Sequence, residues 1–536
     1  MRNCLILIYF LGFFSLMKAE DKQLGKLGIY RTCFDVTHYK IEVNVHPLSK
    51  SITGNNTITA IFVEPSSIIQ IDYVATMKVG EVKLISGKAL KYRRKGRAVL
   101  IQLDRQYTKG ETLKLKISFA GQPEIAKKAP WQGGFVWSKD NNGNDWIGLA
   151  CESKGASIWL PCKDHWNDEP DSVDMHLGVP KGLMGVSNGR LIGNSSISDS
   201  MVVYHWKTSS TINHYNISIN VGKYAHIRDS HSGVQGDLSL DYYVLAYNAS
   251  KAIKHFKETD TMLSAFEHYF GPYPFYKDGY KLVETPYWGM EHQSCVAYGN
   301  NYKFNKYGFD FILVHESGHE WFANSITASD PADMWIHESF TTYSEALFVE
   351  YTQGIDSAIS YLNMQRKLIV SRIPMQGVRN IDFHNRKDND IYYKGSWMLH
   401  TLRNHIGNDS IWMSILQGIS KTFRHKIIKT EDMTDYISKA SGLNLEAFWK
   451  QYLYGTKIPV LHVSLKQLNG ERYFEWKLTN ISNGFELNLR LKRGRIIQAR
   501  AASNRSDFGS EWSLEDFKAL ESKYLIHVKI DLDGSL

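Results

Sequence analysis

His315-Glu316-Ser317-Gly318-His319 sets two imidazoles four positions apart, with a carboxylate directly after the first. On a helix, residues four apart share a face, so both rings can bind one metal ion. Glu316 then lies beside the pair, near enough to a metal-bound water to take its proton. This is the His-Glu-x-x-His pattern of a zinc hydrolase. Glu338, separated from His319 by 18 residues, completes a His-His-Glu set and leaves one coordination position open. A catalytic zinc needs that open position, because water bound there becomes a nucleophile near neutral pH. The flanks argue against a chance match. Phe311 to Val314 and Trp321 to Ala323 make the segment apolar nearly all round, so the helix is expected to be buried. Two imidazoles and a carboxylate in a buried helix need a partner, and one zinc ion held by His315, His319 and Glu338 supplies it.

Such a site needs several elements to hold it. At 536 residues the chain is too long for one core, and two to four domains are expected. A hydrophobic content of 43% and a charged content of 22% are those of a globular protein. The net charge of +8 is spread along the chain, without the broad basic face that nucleic-acid binding needs. Its densest basic run, Lys91 to Arg97, sits between β-like segments and reads as a solvated hairpin.

The N-terminus reads as an export signal. Arg2 supplies a positive start, Cys4 to Met17 an apolar run, and Ala19 a small residue for cleavage. The run is short for a membrane span, and no later segment reaches that length. Export to a periplasm or the cell exterior is expected, with an uncleaved N-terminal anchor as the alternative. Cys33, Cys151, Cys162 and Cys295 then remain, enough for a disulfide or two but not for a disulfide scaffold.

From about Tyr30 to Ile227 short alternating strands dominate, as in Tyr39 to Val45 and Leu113 to Phe119. Ala249 to Phe270 has helical spacing and stops at Gly271. Helices follow from Phe309 to about Leu453, Ser396 to His405 and Leu445 to Leu453 among them. Alternation returns in Val460 to Leu465 and Tyr524 to Ile530. An α+β multidomain chain is expected: residues 1–19 a signal peptide, 20–229 an N-terminal β-saddle or sandwich, 230–456 a mainly helical zinc catalytic domain, and 457–536 a small C-terminal β-sandwich.

Several segments together resemble the gluzincin aminopeptidases, the family that includes aminopeptidase N and leukotriene hydrolase. The resemblance covers most of the chain and is strongest from Trp146 to Leu461. Beyond the zinc pattern, Trp288-Gly289-Met290-Glu291-His292 is similar to the family's Gly-x-Met-Glu-Asn segment, with Trp288 and His292 as departures. The resemblance implies a thermolysin-like catalytic domain and makes Glu291, with Gly289 and Met290 beside it, the binder of the substrate's free α-amino group. Ala150-Cys151-Glu152 resembles a second anchoring segment, with Glu152 reaching the cleft. Tyr392 in Tyr392-Tyr393-Lys394-Gly395 resembles the phenol that hydrogen-bonds the oxyanion; Tyr393 is its neighbouring alternative. Glu345 is either a group that orients a zinc-bound His or a buried helix residue. His337 stands where the family usually has Asn. Larger relatives carry a further helical domain, so a cleft that is more open, or closed by a partner subunit, is expected here.

The expected function is hydrolysis of the N-terminal bond of peptides by a zinc-bound water, with Glu316 as base. Its partners are peptides with a free N-terminus, not nucleic acid, and no membrane span beyond the signal segment is expected. The rivals are a zinc endopeptidase, which has no use for Glu291 and Glu152, and a catalytically weak peptide-binding homologue. The epoxide hydrolysis of one family branch has no specific support.

Overall fold

A computed structural model describes residues 25–381, 388–468, 471–506 and 512–531. The expected export signal lies outside the described residues. Cys33, Cys151, Cys162 and Cys295 are all buried free thiols, so the disulfide or two that four cysteines allow does not form among them.

Strand Phe34–His46 buries Tyr39, Ile41, Val43 and Val45 and turns the residues between outward, as a pleat with period two requires. An irregularity between Val36 and His38 shifts the register, so that Val36 is buried too. It pairs antiparallel with Ser51–Phe62 and parallel with Ser172–Pro180, near the centre of a seven-stranded sheet. A three-stranded and a four-stranded sheet complete the N-terminal β half. The basic run does form a hairpin, Tyr92–Lys95 with Ala98–Tyr107. It is only partly solvated: Arg94 turns inward and donates to the carbonyls of Tyr73, Val74 and Met77.

The expected boundary at 229/230 falls inside a strand. Tyr224–Gly233 and Gly236–Leu245 form one hairpin, and helical periodicity starts only at Ala249. The hairpin opens a five-stranded sheet continued by Tyr280–Glu284, Val296–Tyr298 and the edge strand Gly289–Met290. This sheet is buried on both faces. Leu240, Tyr242, Val244, Leu282 and Tyr298 face the helical core, while Tyr243, Leu245, Val283, Ala297 and Met290 face the β core. Edge strand Gly289–Met290 therefore lies where the two halves meet.

The helical run from Ala249 breaks into Ala249–His255 and Glu258–Phe270. Tertiary contacts fix the break: His255 turns to Asp310 at 2.6 Å, and Glu258 accepts from the Asp310 N–H at 3.0 Å. Asp310 also caps the next helix, Phe311–Gly318, by accepting from the N–H groups of Ile312 and Leu313. Helix Trp335–Gln353 packs on it, and helices Ile355–Arg366 and Tyr393–Ile406 pack on Trp335–Gln353 in turn. Beyond Val460 a four-stranded sheet pairs Val460–Leu468 with Glu471–Thr479 and, in parallel, with His527–Asp531. Tyr524, Leu525 and Ile526, expected within that last strand, precede it and are fully buried. Leu461, Trp476 and Tyr524 share one core with the helices that follow Ala249.

Candidate active site

Helix Phe311–Gly318 is buried along its length from Ile312 onward, as its apolar flanks predict. His319 caps its end with still-helical dihedrals, so the two imidazoles lie with ring centroids 5.0 Å apart and nearly perpendicular. Glu338, on the first turn of helix Trp335–Gln353, points Oε2 at both rings: 3.6 Å from His315 Nε2 and 3.5 Å from His319 Nε2. The ligand atoms of the three lie within 4.8 Å of one another, the only such His, Cys or acidic cluster among the described residues.

The surroundings fix the chemistry of these atoms. His315 Nδ1 lies 2.6 Å from Glu345 Oε1, and His319 Nδ1 lies 2.9 Å from the Phe322 carbonyl. Both acceptors demand a proton on Nδ1, so in the neutral ring Nε2 is the lone pair, and it is aimed at Glu338. Glu338 Oε2 is buried and accepts no hydrogen bond. Two lone pairs and an orphaned carboxylate oxygen converging on one point fit a zinc ion, with borderline-soft nitrogen and carboxylate donors in a three-ligand catalytic set.

Of the two readings of Glu345, the geometry gives the orienting one. Its second oxygen accepts from Tyr361 Oη at 2.6 Å and Gln365 Nε2 at 3.0 Å, both on helix Ile355–Arg366. Those two residues have no motif and were invisible in the sequence, as was Thr341, whose Oγ1 lies 3.1 Å from His319 Nδ1.

Glu316 lies beside the pair and approaches the edge strand. A Cβ on Gly289 would sit 2.7 Å from Glu316 Oε1 and 2.8 Å from Ile312 Cγ2, so only glycine lets strand and helix come this close. Burial raises the Glu316 carboxyl to about 7; Glu291 and Glu338 push the same way, and the two histidines oppose them. Met290 is buried in the β core, and Glu291 follows it into the site. Glu291 Oε1 accepts from Tyr215 Oη at 3.2 Å, and its carbonyl accepts from Asn324 Nδ2 at 2.8 Å. Tyr215 also brings the second segment in, since its carbonyl accepts from Cys151 Sγ at 3.3 Å. Glu152 follows with a buried Oε1 that has no partner. Burial and then Glu291, Glu338 and Glu316 raise its carboxyl well above the ordinary range. The cleft thus crowds four carboxylates together, an arrangement that a cation relieves.

Tyr392 Oη donates to Glu338 Oε1 at 2.8 Å. Burial, with Glu338 and Glu152 beside it, raises the phenol far above its usual range, so it stays protonated. Tyr393 is the first residue of helix Tyr393–Ile406, and its charged neighbour is Glu345 rather than Glu338. The Lys-Gly that follows now has a physical reason. A Cβ on Gly395 would collide with the side chain of Ser339, the neighbour of Glu338, and Lys394 Nζ is tied to the Gly455 carbonyl at 2.7 Å.

The departures resolve differently. His337 stacks on Trp166 and accepts from the Ala328 N–H at 2.8 Å, which supports the wall of the site. His292 is fully buried with neither ring nitrogen bonded, and burial lowers its pKa to about 3. Trp288 is partly exposed and stacks on Phe311 of the zinc-motif helix. Glu320, which the sequence did not single out, accepts from the Ser294 N–H at 2.8 Å and so ties the zinc-motif helix to the Glu291 loop.

Comparison with known proteins agrees with this geometry. The family model of the Peptidase M1 N-terminal domain matches residues 36–215, and that of the Peptidase family M1 domain matches residues 255–452. Together they span more than half of the chain. The puromycin-sensitive aminopeptidase of Caenorhabditis elegans is 24% identical over 489 residues, 82% of this chain and 49% of that protein. Aminopeptidase M1-D of Oryza sativa subsp. japonica is 24% identical over 349 residues, 59% of this chain and 38% of that protein. The chain thus spans half or less of the length of these relatives. An M1 zinc metallopeptidase from Deinococcus radiodurans has the same fold, with a TM-score of 0.70 at 22% identity over 81% of this chain and 95% of that one.

Proposed function

We propose, for a chain that belongs to peptidase family M1, that it is a zinc aminopeptidase releasing single residues from the amino ends of peptides. The carrying observation is the carboxylate pair Glu291 and Glu152 crowded against Glu338 and Glu316, with Glu291 buried and Glu152 half-buried but its Oε1 enclosed and unpartnered. An exopeptidase must tell a chain end from a chain middle, and an ammonium is the feature unique to that end. A buried carboxylate recognises it through charge-assisted hydrogen bonds. An endopeptidase has no use for such a pair.

When bound, zinc activates water for attack and polarises the scissile carbonyl. The protein's own groups move the protons. Glu316, poised near neutrality, takes a proton from the attacking water and passes it to the leaving nitrogen. Tyr392 turns its protonated hydroxyl from Glu338 to the oxyanion forming on the substrate carbonyl. Loss of one such donor costs about a hundredfold or more in rate. Glu291 and Glu152 hold the ammonium, which fixes the first peptide bond at the triad. Export is part of this proposal; it rests on the N-terminal apolar run, and the N-terminal sequence of the mature protein tests it.

The deciding experiment compares free and N-acetylated peptides. Acetylation removes the cation and leaves the carboxylate pair without it, a loss that typically costs about 2–5 kcal/mol. At about 1.4 kcal/mol per tenfold, acetylated peptides are cleaved at least tens of times more slowly. Glu291→Ala lowers efficiency on free peptides and narrows the gap. Equal cleavage of both, at internal bonds, replaces this reading with the endopeptidase.

A further inference from the structure

Among the described residues, two tryptophans stand exposed, Trp131 at 52% and Trp288 at 42%, and they touch. Their ring centroids are 5.8 Å apart with the planes tilted by 47°. Trp288 stacks on Phe311 at 5.6 Å, and Phe311 on the triad residue His315 at 5.3 Å. Trp131 comes from the β half, between strands Thr112–Gly121 and Gly134–Lys139, and Trp288 directly precedes the edge strand. Single exposed apolar residues are ordinary. Here a run of rings crosses from one half of the molecule to the other and ends at the metal triad. At its outer end Lys128 lies over Trp131, and Asn300 Oδ1 accepts from Trp288 Nε1.

The path of a peptide gives these rings an occupant. Strand Gly289–Met290 ends its sheet, with Val296–Tyr298 on one side only. The Trp288 carbonyl accepts from the Gly299 N–H at 2.8 Å. The alternation of an antiparallel ladder then leaves the N–H and C=O of Gly289 facing the open edge. A peptide whose amino end sits at Glu291 adds there as a strand running back toward Trp288. At about 3.4 Å per residue, its third residue comes level with Gly289 and its fourth with Trp288, so the long Trp288 ring borders the side chains of the second and third.

We propose that Trp288 and Trp131 form a wall that binds the side chain of the second or third substrate residue and selects large apolar, above all aromatic, ones. This rests on the reading of Glu291 as the amino-end anchor. Offset or edge-on ring contacts favour aromatic over aliphatic partners beyond the area they bury.

The test uses tripeptides with free amino ends: Ala-Phe-Ala and Ala-Ala-Phe against Ala-Ala-Ala and Ala-Asp-Ala. In the native protein kcat/KM for the better Phe peptide exceeds that of Ala-Ala-Ala by about tenfold. In Trp288→Ala the ratio falls to within about twofold, in Trp131→Ala it falls part of the way, and in Trp288→Phe it is retained. Ratios are read within each variant, so a general loss of activity cancels. Binding of the same peptides to Glu316→Gln gives the comparison without turnover. A native ratio near one, or a tenfold ratio that survives both alanine variants, overturns the proposal. N-acetylated copies separate it from its premise: a Phe preference in peptides cleaved alike with and without the acetyl group supports the wall and overturns the anchor.

Discussion

Replacing Glu345 by Gln probes how this fold prepares a metal site with a residue that never touches the metal. Three donors converge on its carboxylate: His315 Nδ1 at 2.6 Å on one oxygen, Tyr361 Oη at 2.6 Å and Gln365 Nε2 at 3.0 Å on the other. An amide has one acceptor oxygen, so it cannot serve both ends. With the oxygen toward His315, its NH2 faces the Gln365 amide; flipped, it confronts the His315 N–H. Either way the charge that strengthens His315 as a metal donor is lost. Such partners are typically worth about 10–100-fold in metal affinity, or about 1.4–2.8 kcal/mol. Zinc affinity of Glu345→Gln, measured by competition with a chromophoric chelator, weakens by that factor while circular dichroism reports the native fold. Glu345→Ala is the poorer probe, because it orphans three buried donors at about 1–3 kcal/mol each. Native zinc affinity in a folded Glu345→Gln protein refutes the tautomer argument on which the metal site rests.

Three further outcomes are expected. Glu338→Ala removes the oxygen that faces both imidazoles, so metal analysis finds strongly reduced zinc in a folded protein; full retention rejects the triad. Glu316→Gln keeps metal and fold but loses nearly all turnover, since an amide cannot take the proton of the attacking water, and near-native hydrolysis moves the base elsewhere. Glu320→Gln tests a buried acid that burial raises to about 8, against the hydrogen bonds of Tyr273, Ser294 and Asn324. A raised carboxyl stabilises the fold fully below its unfolded value of 4.5, and that contribution fades as pH rises through the folded value. The amide mimics the protonated acid, because Tyr273 Oη can accept from it while donating to the Gly279 carbonyl at 3.2 Å. Thermal melts therefore show Glu320→Gln more stable than the native protein above about pH 8 and level with it below about pH 4.5. An unchanged difference across that range rejects the buried-acid account.

The chemistry was legible in the sequence because local spacing encodes it. His315 and His319 lie four apart in an apolar helix, and that alone puts two imidazoles on one buried face. Glu291, Glu152 and Tyr392 sit far apart in the chain, and only their likeness to family segments pointed to them. What brings them together is tertiary: Tyr215 bonds Glu291 and Cys151 at once, and Gly289 and Gly395 permit approaches that no side chain would. The sequence pattern also set a boundary inside strand Tyr224–Gly233, because strands on either side of 229 alternate alike although their faces serve different cores. Tyr361, Gln365 and Thr341 carried no signal at all. They are ordinary helix residues whose role depends on which helix lies opposite, and a one-dimensional pattern records a residue's own face but not its neighbour's. The exposed Trp131–Trp288 pair is the same case: each is a lone aromatic in the sequence, and only the packing of the β half against the edge strand makes them one surface.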